Sequence, residues 1–292
     1  MRTSINLSEW FGNDYPQSMI KDKTSNFYNL LPEVSAEINQ VDILKHAETL
    51  KMLVDHGLSI TNLRSEFPLL TTDGSEVESL DLLKKWNIKN LTVVDTSFYP
   101  GHDAAVNTRL SETIMNKSKD TEKWNQLSEK YNKLGALCKI QGVDLMLANH
   151  SGAILENLDD FNQISETYKY EFYIDVPHFL YVNEKMDSLT QKIENKITGI
   201  RLGSFTACAW VATRQNRYSW NESVKFGIFE PYKTEHKKML KNFNQMILNR
   251  YHQLKTISLT CERNNELNNP LDNYKSAQAA FNEIIAVQVG KS

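Results

Sequence analysis

One arrangement recurs along the whole chain: an amphipathic helix, a short turn that often holds glycine, and a short apolar strand ending in polar residues. Apolar residues of segment 40–56 fall on one helical face, Gly57 can take the left-handed position that ends a helix, and a strand follows. Segments 75–86 and 120–142 repeat this order. Strands that alternate with helices throughout must be parallel, with the helices as crossover connections.

Eight such strands can be counted, at residues 4–7, 34–38, from 58 onward, 91–95, 143–148, 171–175, 197–202 and 256–261. Eight units in 292 residues predict an α/β fold of the closed (β/α)8 barrel type, which typically takes about 250 residues. A doubly wound open sheet is the competing fold, but no Gly-x-Gly-x-x-Gly motif or P-loop follows the first strand. No linker divides the chain, which predicts a single domain over residues 1–292.

The longest stretch without clear periodicity is segment 204–233, which follows the seventh strand and contains Trp210, Arg214, Arg217 and Trp220. A loop of this length inside a compact domain is usually a lid or a binding loop. We therefore expect it to cover the barrel mouth and contact the ligand. The alternative is extra secondary structure that forms a homodimer interface, for which aromatic residues are equally suited.

Composition limits the partners. A net charge of −3 and a pI near 6.2 provide no general attraction for nucleic acid or an anionic membrane. The chain has three cysteines, an odd number at wide spacing, which argues against a disulfide framework and fits a reducing cytoplasm. No signal sequence or membrane-spanning run is recognisable. We expect a cytoplasmic protein with a small-molecule ligand.

In a barrel of this type the polar residues at the carboxyl ends of the strands meet at one mouth, where catalysis takes place. Each such residue can also be a hydrogen-bonded rim residue that only stiffens the mouth. Several ionisable groups converging on one site would nevertheless perturb one another's pKa values, as acid–base chemistry requires. The strand ends supply Glu37 and Asn39, Arg64 and Glu66, Asp95, Asn149 and His150, Asp175 and His178, Arg201 and Ser204, and Glu262 and Arg263.

Four of these segments resemble the sugar phosphate isomerase/epimerase family, which has the xylose isomerase-like barrel. Residues 131–151, ending Leu-Ala-Asn-His, look like its fifth-strand segment, and residues 172–179 resemble its Asp-x-x-His segment on strand six. Residues 197–204 take the place of its strand-seven motif, and residues 259–262 look like its eighth-strand carboxylate. The resemblance implies a barrel enzyme that isomerises, epimerises or dehydrates a small polyhydroxylated or keto-acid substrate.

The same resemblance implies a divalent metal held by a glutamate, an aspartate, a histidine and a glutamate on strands five to eight. The corresponding positions here read Ala148, Asp175, Arg201 and Glu262. A guanidinium repels a divalent ion, so we expect the usual metal to be lost or bound very weakly. The alternative keeps Mn²⁺ or Mg²⁺ on Asp175 and Glu262 with the help of a histidine.

Arg201 can stand in for the missing cation, because it can pair with Asp175 or Glu262 and still donate to a substrate oxygen. It can equally be a structural ion pair in a site that no longer works. His150 and His178 are the candidate general acid and base, since a neutral imidazole near pH 7 is suited to proton transfer. Each of them can instead bond only to a neighbouring carbonyl.

The remaining candidates would bind substrate: Asn149 would orient a hydroxyl group, Arg64 would anchor an anionic group, and Asp95 lies at the end of its strand. Trp10 would form an apolar wall, and Trp220 would contribute from the loop after strand seven. Three functions stay open at this point. They are a metal-independent isomerase, epimerase or dehydratase, a metal-dependent one with atypical ligands, and a non-catalytic barrel that binds a small molecule or a partner protein, which the alanine at position 148 would suit.

Overall fold

The structure is a computed structural model, and it describes residues 3–7, 28–29, 31–71, 74–97, 121–150, 153–156, 158–167, 171–176, 178, 191–202, 204–205, 226–227, 253–259, 278–279 and 282. The barrel strands are β1 (Thr3–Asn6), β2 (Ser35–Asn39), β3 (Ser59–Phe67), β4 (Asn90–Asp95), β5 (Asp144–Ala148), β6 (Glu171–Asp175), β7 (Ile197–Leu202) and β10 (Thr256–Leu259). The helices are α1 (Gln40–Lys45), α2 (Ala47–Asp55), α3 (Ser75–Trp86), α4 (Thr121–Ile140), α5 (Leu158–Thr167) and α6 (Gln191–Glu194).

The eight strands form a closed barrel in the order β1, β10, β7, β6, β5, β4, β3, β2, and every neighbouring pair is parallel. The (β/α)8 prediction is therefore confirmed. A short antiparallel pair, β8 (Ser204–Phe205) with β9 (Phe226–Gly227), joins the two parts of segment 204–233 that the structure describes. The rest of that segment lies outside the described residues, so its covering role stays a prediction.

Two hydrophobic layers hold the barrel. The larger layer lies between the strands and the surrounding helices, where α4 buries Leu127, Tyr131, Leu134 and Cys138 as its periodicity predicts. The smaller layer lies inside the barrel and consists of Val94, Met146, Ala148, Ala153 and Tyr173. The interior of the barrel is therefore a packed core beneath the mouth and not a channel.

The predicted helix over residues 40–56 is interrupted. His46 has φ −125° and ψ 28°, which separates α1 from α2. Its N–H still donates to the carbonyl of Asp42, and its own carbonyl accepts from Leu50 N–H, so helical hydrogen bonds continue across the distortion. Gly57 follows with φ 104°, the left-handed conformation predicted from the sequence. No helix in the described part of the chain is long and apolar enough to cross a membrane.

Candidate active site

Strand β3 brings three polar side chains to the inside of the barrel, because alternate strand residues share a face. Asn62 and Arg64 are buried, and Glu66, nearest the mouth, is about half exposed. The Arg64 Nε lies 3.5 Å from Glu66 Oε1, and its Nη1 donates across the interior to Asp175 Oδ2 at 2.9 Å. Arg64 therefore joins the mouth to a carboxylate on β6.

Asp175 is fully buried at the end of β6 and receives two guanidinium groups on one oxygen. Besides Arg64, Arg201 of β7 donates from Nη1 to Asp175 Oδ2 at 3.2 Å. The predicted contact between Arg201 and Asp175 is thus present. Among the described residues, no group donates a hydrogen bond to the other oxygen, Oδ1. A buried acceptor without a donor is costly, so Oδ1 is the atom of this cluster that most needs a donor from a water molecule or a ligand.

Glu37 on β2 is the second carboxylate partner of Arg201, and sequence reasoning did not assign it this role. Both Nε and Nη2 of Arg201 donate to Glu37 Oε1, the former at 3.1 Å. Glu37 Oε2 accepts from the Tyr173 hydroxyl and from Asn62 Nδ2, each at 2.6 Å. The sequence signal is an acidic residue inside an otherwise buried strand, since a fully buried carboxylate needs cationic partners.

Two register shifts lie beside Glu37 and Tyr173. Pairing of β2 with β3 shifts register between Ala36 and Glu37, and pairing of β6 with β7 shifts between Phe172 and Tyr173. In each case the additional residue is on the partner strand, Thr61 on β3 and Thr198 on β7, and such irregularities are frequent near active sites. Burial by itself would raise the pKa of Glu37, but Arg201, Arg64 and the Tyr173 hydrogen bond lower it, so Glu37 is ionised at neutral pH. Burial would lower the pKa of Arg201, but Glu37 and Asp175 raise it well above its ordinary value.

The two candidate histidines lie together beside Asp175. The rings of His150 and His178 are 3.8 Å apart between centroids, at an interplanar angle of 38°. His178 Nε2 lies 3.9 Å from Asp175 Oδ2. Burial, together with the positive charges of His150, Arg64 and Arg201, holds the pKa of His178 well below its ordinary value. Its imidazole is therefore neutral near pH 7 and can accept a proton.

Asn149 and Asp95 have tasks other than those predicted from the sequence. Asn149 uses both ends of its amide on the main chain of Asp175: Nδ2 donates to the carbonyl at 3.0 Å, and Oδ1 accepts from the N–H at 2.7 Å. Asp95 lies on the outer face of β4, where it accepts from Tyr131, Ser97 and Leu69. Asn149 thus positions Asp175, and Asp95 holds a loop.

Three predicted site residues, Trp10, Trp220 and Glu262, lie outside the described residues. Their assignments as apolar wall, loop contact and eighth-strand carboxylate stay predictions. The other seven are described: Arg64, Asp175, Arg201 and His178 form one connected cluster, His150 stacks on it, Asn149 supports it, and Asp95 lies apart from it.

Of the four metal-binding positions that the resemblance implies, Glu262 lies outside the described residues, and the residues at two of the other three, Ala148 and Arg201, do not suit a divalent ion. Ala148 has no donor atom and packs in the apolar interior with Met146 and Tyr173. Arg201 adds a cation, and Asp175 Oδ2 already carries two guanidinium contacts. Within the described residues, no cluster of three or more His, Cys, Asp or Glu side chains could hold a metal. The donor set favours an oxygen-rich ligand that accepts from guanidinium groups.

Comparison with known proteins agrees with the fold. No family model matches the chain. A solved L-ribulose 3-epimerase superposes with a TM-score of 0.63 at 14% identity, covering 99% of this chain and 96% of that one. A xylose isomerase domain protein from Planctomyces limnophilus superposes with a TM-score of 0.52 at 11% identity, covering 89% of both chains. This chain is a xylose isomerase-like barrel.

Sequence similarity points the same way. The xylose isomerase-like barrel is 22% identical over 194 residues to an inosose dehydratase of Clostridium perfringens strain 13, a match that takes in 65% of this chain. The matched region spans 63% of that relative, somewhat less than two thirds of its length. The family resemblance predicted from the strand-end motifs is confirmed at the level of fold.

Proposed function

We propose that this protein is an isomerase, epimerase or dehydratase that acts on a small polyhydroxylated carbonyl compound without a divalent metal. The observation that carries the proposal is Asp175, whose Oδ2 accepts from Arg64 and Arg201 while its Oδ1 has no donor among the described residues. These groups lie at the carboxyl ends of the barrel strands, where enzymes of this fold bind substrate. Inosose dehydratase and L-ribulose 3-epimerase, which this chain resembles, act on compounds of this class.

Epimerisation and dehydration next to a carbonyl share a first step. A base removes the proton from the carbon beside the carbonyl, and negative charge develops on the carbonyl oxygen. Arg201 and Arg64 supply fixed positive charge for that oxygen. Arg64 contacts Glu66 through Nε and Asp175 through Nη1, and its Nη2 would donate to the substrate. Returning the proton to the other face gives the epimer, and expulsion of the neighbouring hydroxyl gives the dehydrated product.

His178 is the proposed proton acceptor, because its imidazole is buried and neutral. His150, stacked on it, is the second imidazole of the pair and the proposed proton donor. Asp175 Oδ1 would accept a hydrogen bond from a substrate hydroxyl and so orient the carbon that loses its proton. Each group would act at an atom within reach of the others, which acid–base catalysis requires.

Exchange of the α proton for deuterium tests the proposal, because it precedes both outcomes. The full chain is incubated in D₂O with inosose or L-ribulose, in the presence of EDTA, and exchange is followed by NMR. We expect exchange that EDTA does not reduce. Arg201→Met should slow it at least about 100-fold, the loss usual for one oxyanion-stabilising group. Lys51→Met, at an exposed position, is the control and should leave the rate unchanged.

Two results would overturn the proposal. If EDTA abolishes exchange and Mn²⁺ or Mg²⁺ restores it, the enzyme is metal-dependent, with Asp175 and Glu262 as the first ligands to test. If both compounds bind but neither exchanges its α proton, the protein is a non-catalytic barrel and not an enzyme of this class.

A further inference from the structure

A small cavity lies beside the proposed reaction centre, between α1 and β3. Its volume is about 210 Å³, and it is lined by Asn39, Gln40, Val41, Leu44, Arg64 and Glu66. Complete small-molecule sites are larger, roughly 300 to 1,000 Å³. The cavity can therefore hold one part of a ligand whose remainder lies elsewhere.

Arg64 connects this cavity to the reaction centre. The same guanidinium lines the cavity and donates from Nη1 to Asp175 Oδ2 at 2.9 Å. Gln40 fixes the other side, because its Nε2 donates to Glu78 at 2.7 Å and its Oε1 accepts from Ser79 at 2.6 Å. The walls are thus held in place before any ligand binds.

The charges that line the cavity disfavour an anion. Arg64 is the one cationic side chain among its lining residues, and the carboxylates of Asp175 and Glu66 already pair with it. Burial would raise the pKa of Glu66, but Arg64, His150 and Arg201 lower it, so its carboxylate is ionised at neutral pH. A phosphate or carboxylate group entering the cavity would have to share Arg64 with these two carboxylates and would be repelled by Glu66.

Val41 and Leu44 give the cavity an apolar wall. They lie three residues apart on α1, on one face of the helix, and are 47% and 50% exposed. Single exposed aliphatic residues are ordinary on a protein surface, but two that line the same cavity next to a reaction centre offer a surface for a ligand to cover. A ligand that covers the side chains of Val41 and Leu44 should bind about tenfold more tightly than one that leaves them exposed.

We propose that this cavity, formed by Val41, Leu44, Arg64 and Glu66, is a substrate subsite for an uncharged substituent with an apolar face. The substrate would then be a polyhydroxylated carbonyl compound with an uncharged substituent, such as a glycoside that carries a keto group, and not a sugar phosphate. This inference rests on the proposed function, since it takes the neighbouring centre to be the place of reaction.

Binding of three probes tests the subsite: methyl β-D-glucopyranoside, phenyl β-D-glucopyranoside and glucose 6-phosphate, each titrated into the full chain by NMR. We expect the phenyl glycoside to bind about tenfold more tightly than the methyl glycoside, and the phosphate to bind more weakly than either. The double variant Val41→Thr/Leu44→Gln should bring the two glycosides to within about twofold by weakening the phenyl glycoside alone. Each change replaces an aliphatic side chain by a polar one of similar size.

The matched control is Val77→Thr/Leu137→Gln, which makes the same changes at positions that are 56% and 44% exposed on α3 and α4 and do not line the cavity. It should leave all three affinities unchanged. Equal affinity or no binding for the two glycosides in the unmodified protein would overturn the subsite. So would a phenyl preference that survives Val41→Thr/Leu44→Gln, or tighter binding of the phosphate.

The two proposals fail separately. A phenyl preference that Val41→Thr/Leu44→Gln removes, in a protein that catalyses no α-proton exchange, would refute the proposed reaction and show that the cavity binds a ligand without being a substrate subsite. Exchange of the α proton with no preference between the glycosides would refute the subsite and leave the proposed reaction standing.

Discussion

Replacing Glu37 by glutamine should destabilise the protein by about 3–5 kcal/mol, the usual cost of removing one partner of a buried ion pair. Glu37 is fully buried and accepts four hydrogen bonds, two from Arg201, one from Tyr173 and one from Asn62. Glutamine keeps the shape but has one acceptor oxygen. Its amide nitrogen would face donors, and Asn62 cannot simply turn its amide around, because its Oδ1 accepts from Thr92.

Urea denaturation measures the effect as a free energy of unfolding, and a loss below about 1 kcal/mol would refute the reasoning. Asp55→Asn is the control, since it removes an exposed pair with Lys51 that should contribute at most about 1 kcal/mol.

A loss of 3–5 kcal/mol is a large part of the 5–15 kcal/mol typical of a domain. Glu37→Leu/Arg201→Met therefore serves as a second test. Removing both charges should cost clearly less than the sum of Glu37→Leu and Arg201→Met, and additive losses would also refute the reasoning.

Three further outcomes are expected. The pKa of His178 is held well below 6.5 in the folded protein, so the unfolded chain takes up the proton first as the pH falls. The free energy of unfolding should therefore decrease below about pH 6.5, by up to about 1.4 kcal/mol per pH unit. In urea denaturation between pH 7.5 and 5.5, His178→Gln should make stability less dependent on pH, and an unchanged dependence would contradict this. Gly199→Ala should cost about 1–3 kcal/mol by thermal denaturation, because the new methyl group would collide with the Tyr173 ring and lie 2.7 Å from Met146 Sδ; an unchanged melting temperature would show that the barrel interior adjusts freely. Tyr131→Phe removes the donor to the buried Asp95 Oδ2 and should cost about 1–3 kcal/mol in urea, whereas a neutral effect would mean that another donor replaces it.

The contact between Arg201 and Asp175 was predictable because both residues end strands that are neighbours in the barrel. The contact between Arg64 and Asp175 was not, since β3 and β6 are not neighbours and meet only across the interior. Which side chains meet there depends on the stagger of the strands, which periodicity does not fix.

The role of Glu37 as a partner of Arg201 was not predictable for a related reason. Alternation along β2 places it inside the barrel, but its partner Tyr173 is on β6, which is not a neighbour of β2 and is reached only across the interior. Two register shifts lie beside these residues. The paired segments at the first shift, 36–37 and 60–62, contain no glycine or proline, whereas the second shift involves Gly199, a residue type that can mark a bulge. The break at His46 was also not predictable, because helical periodicity continues on both sides of it.

The amide of Asn149 extends the ladder between β5 and β6 by one rung that the main chain does not supply. Main-chain pairing of the two strands ends with Ala148 opposite Tyr173, yet the N–H and the carbonyl of Asp175 are both satisfied, as they would be in the middle of a sheet. Strand ends normally fray and exchange their amide hydrogens quickly with water. The main-chain amide hydrogen of Asp175 should instead exchange as slowly as a core amide. The Asp175 carboxylate should keep the same orientation whichever ligand is bound.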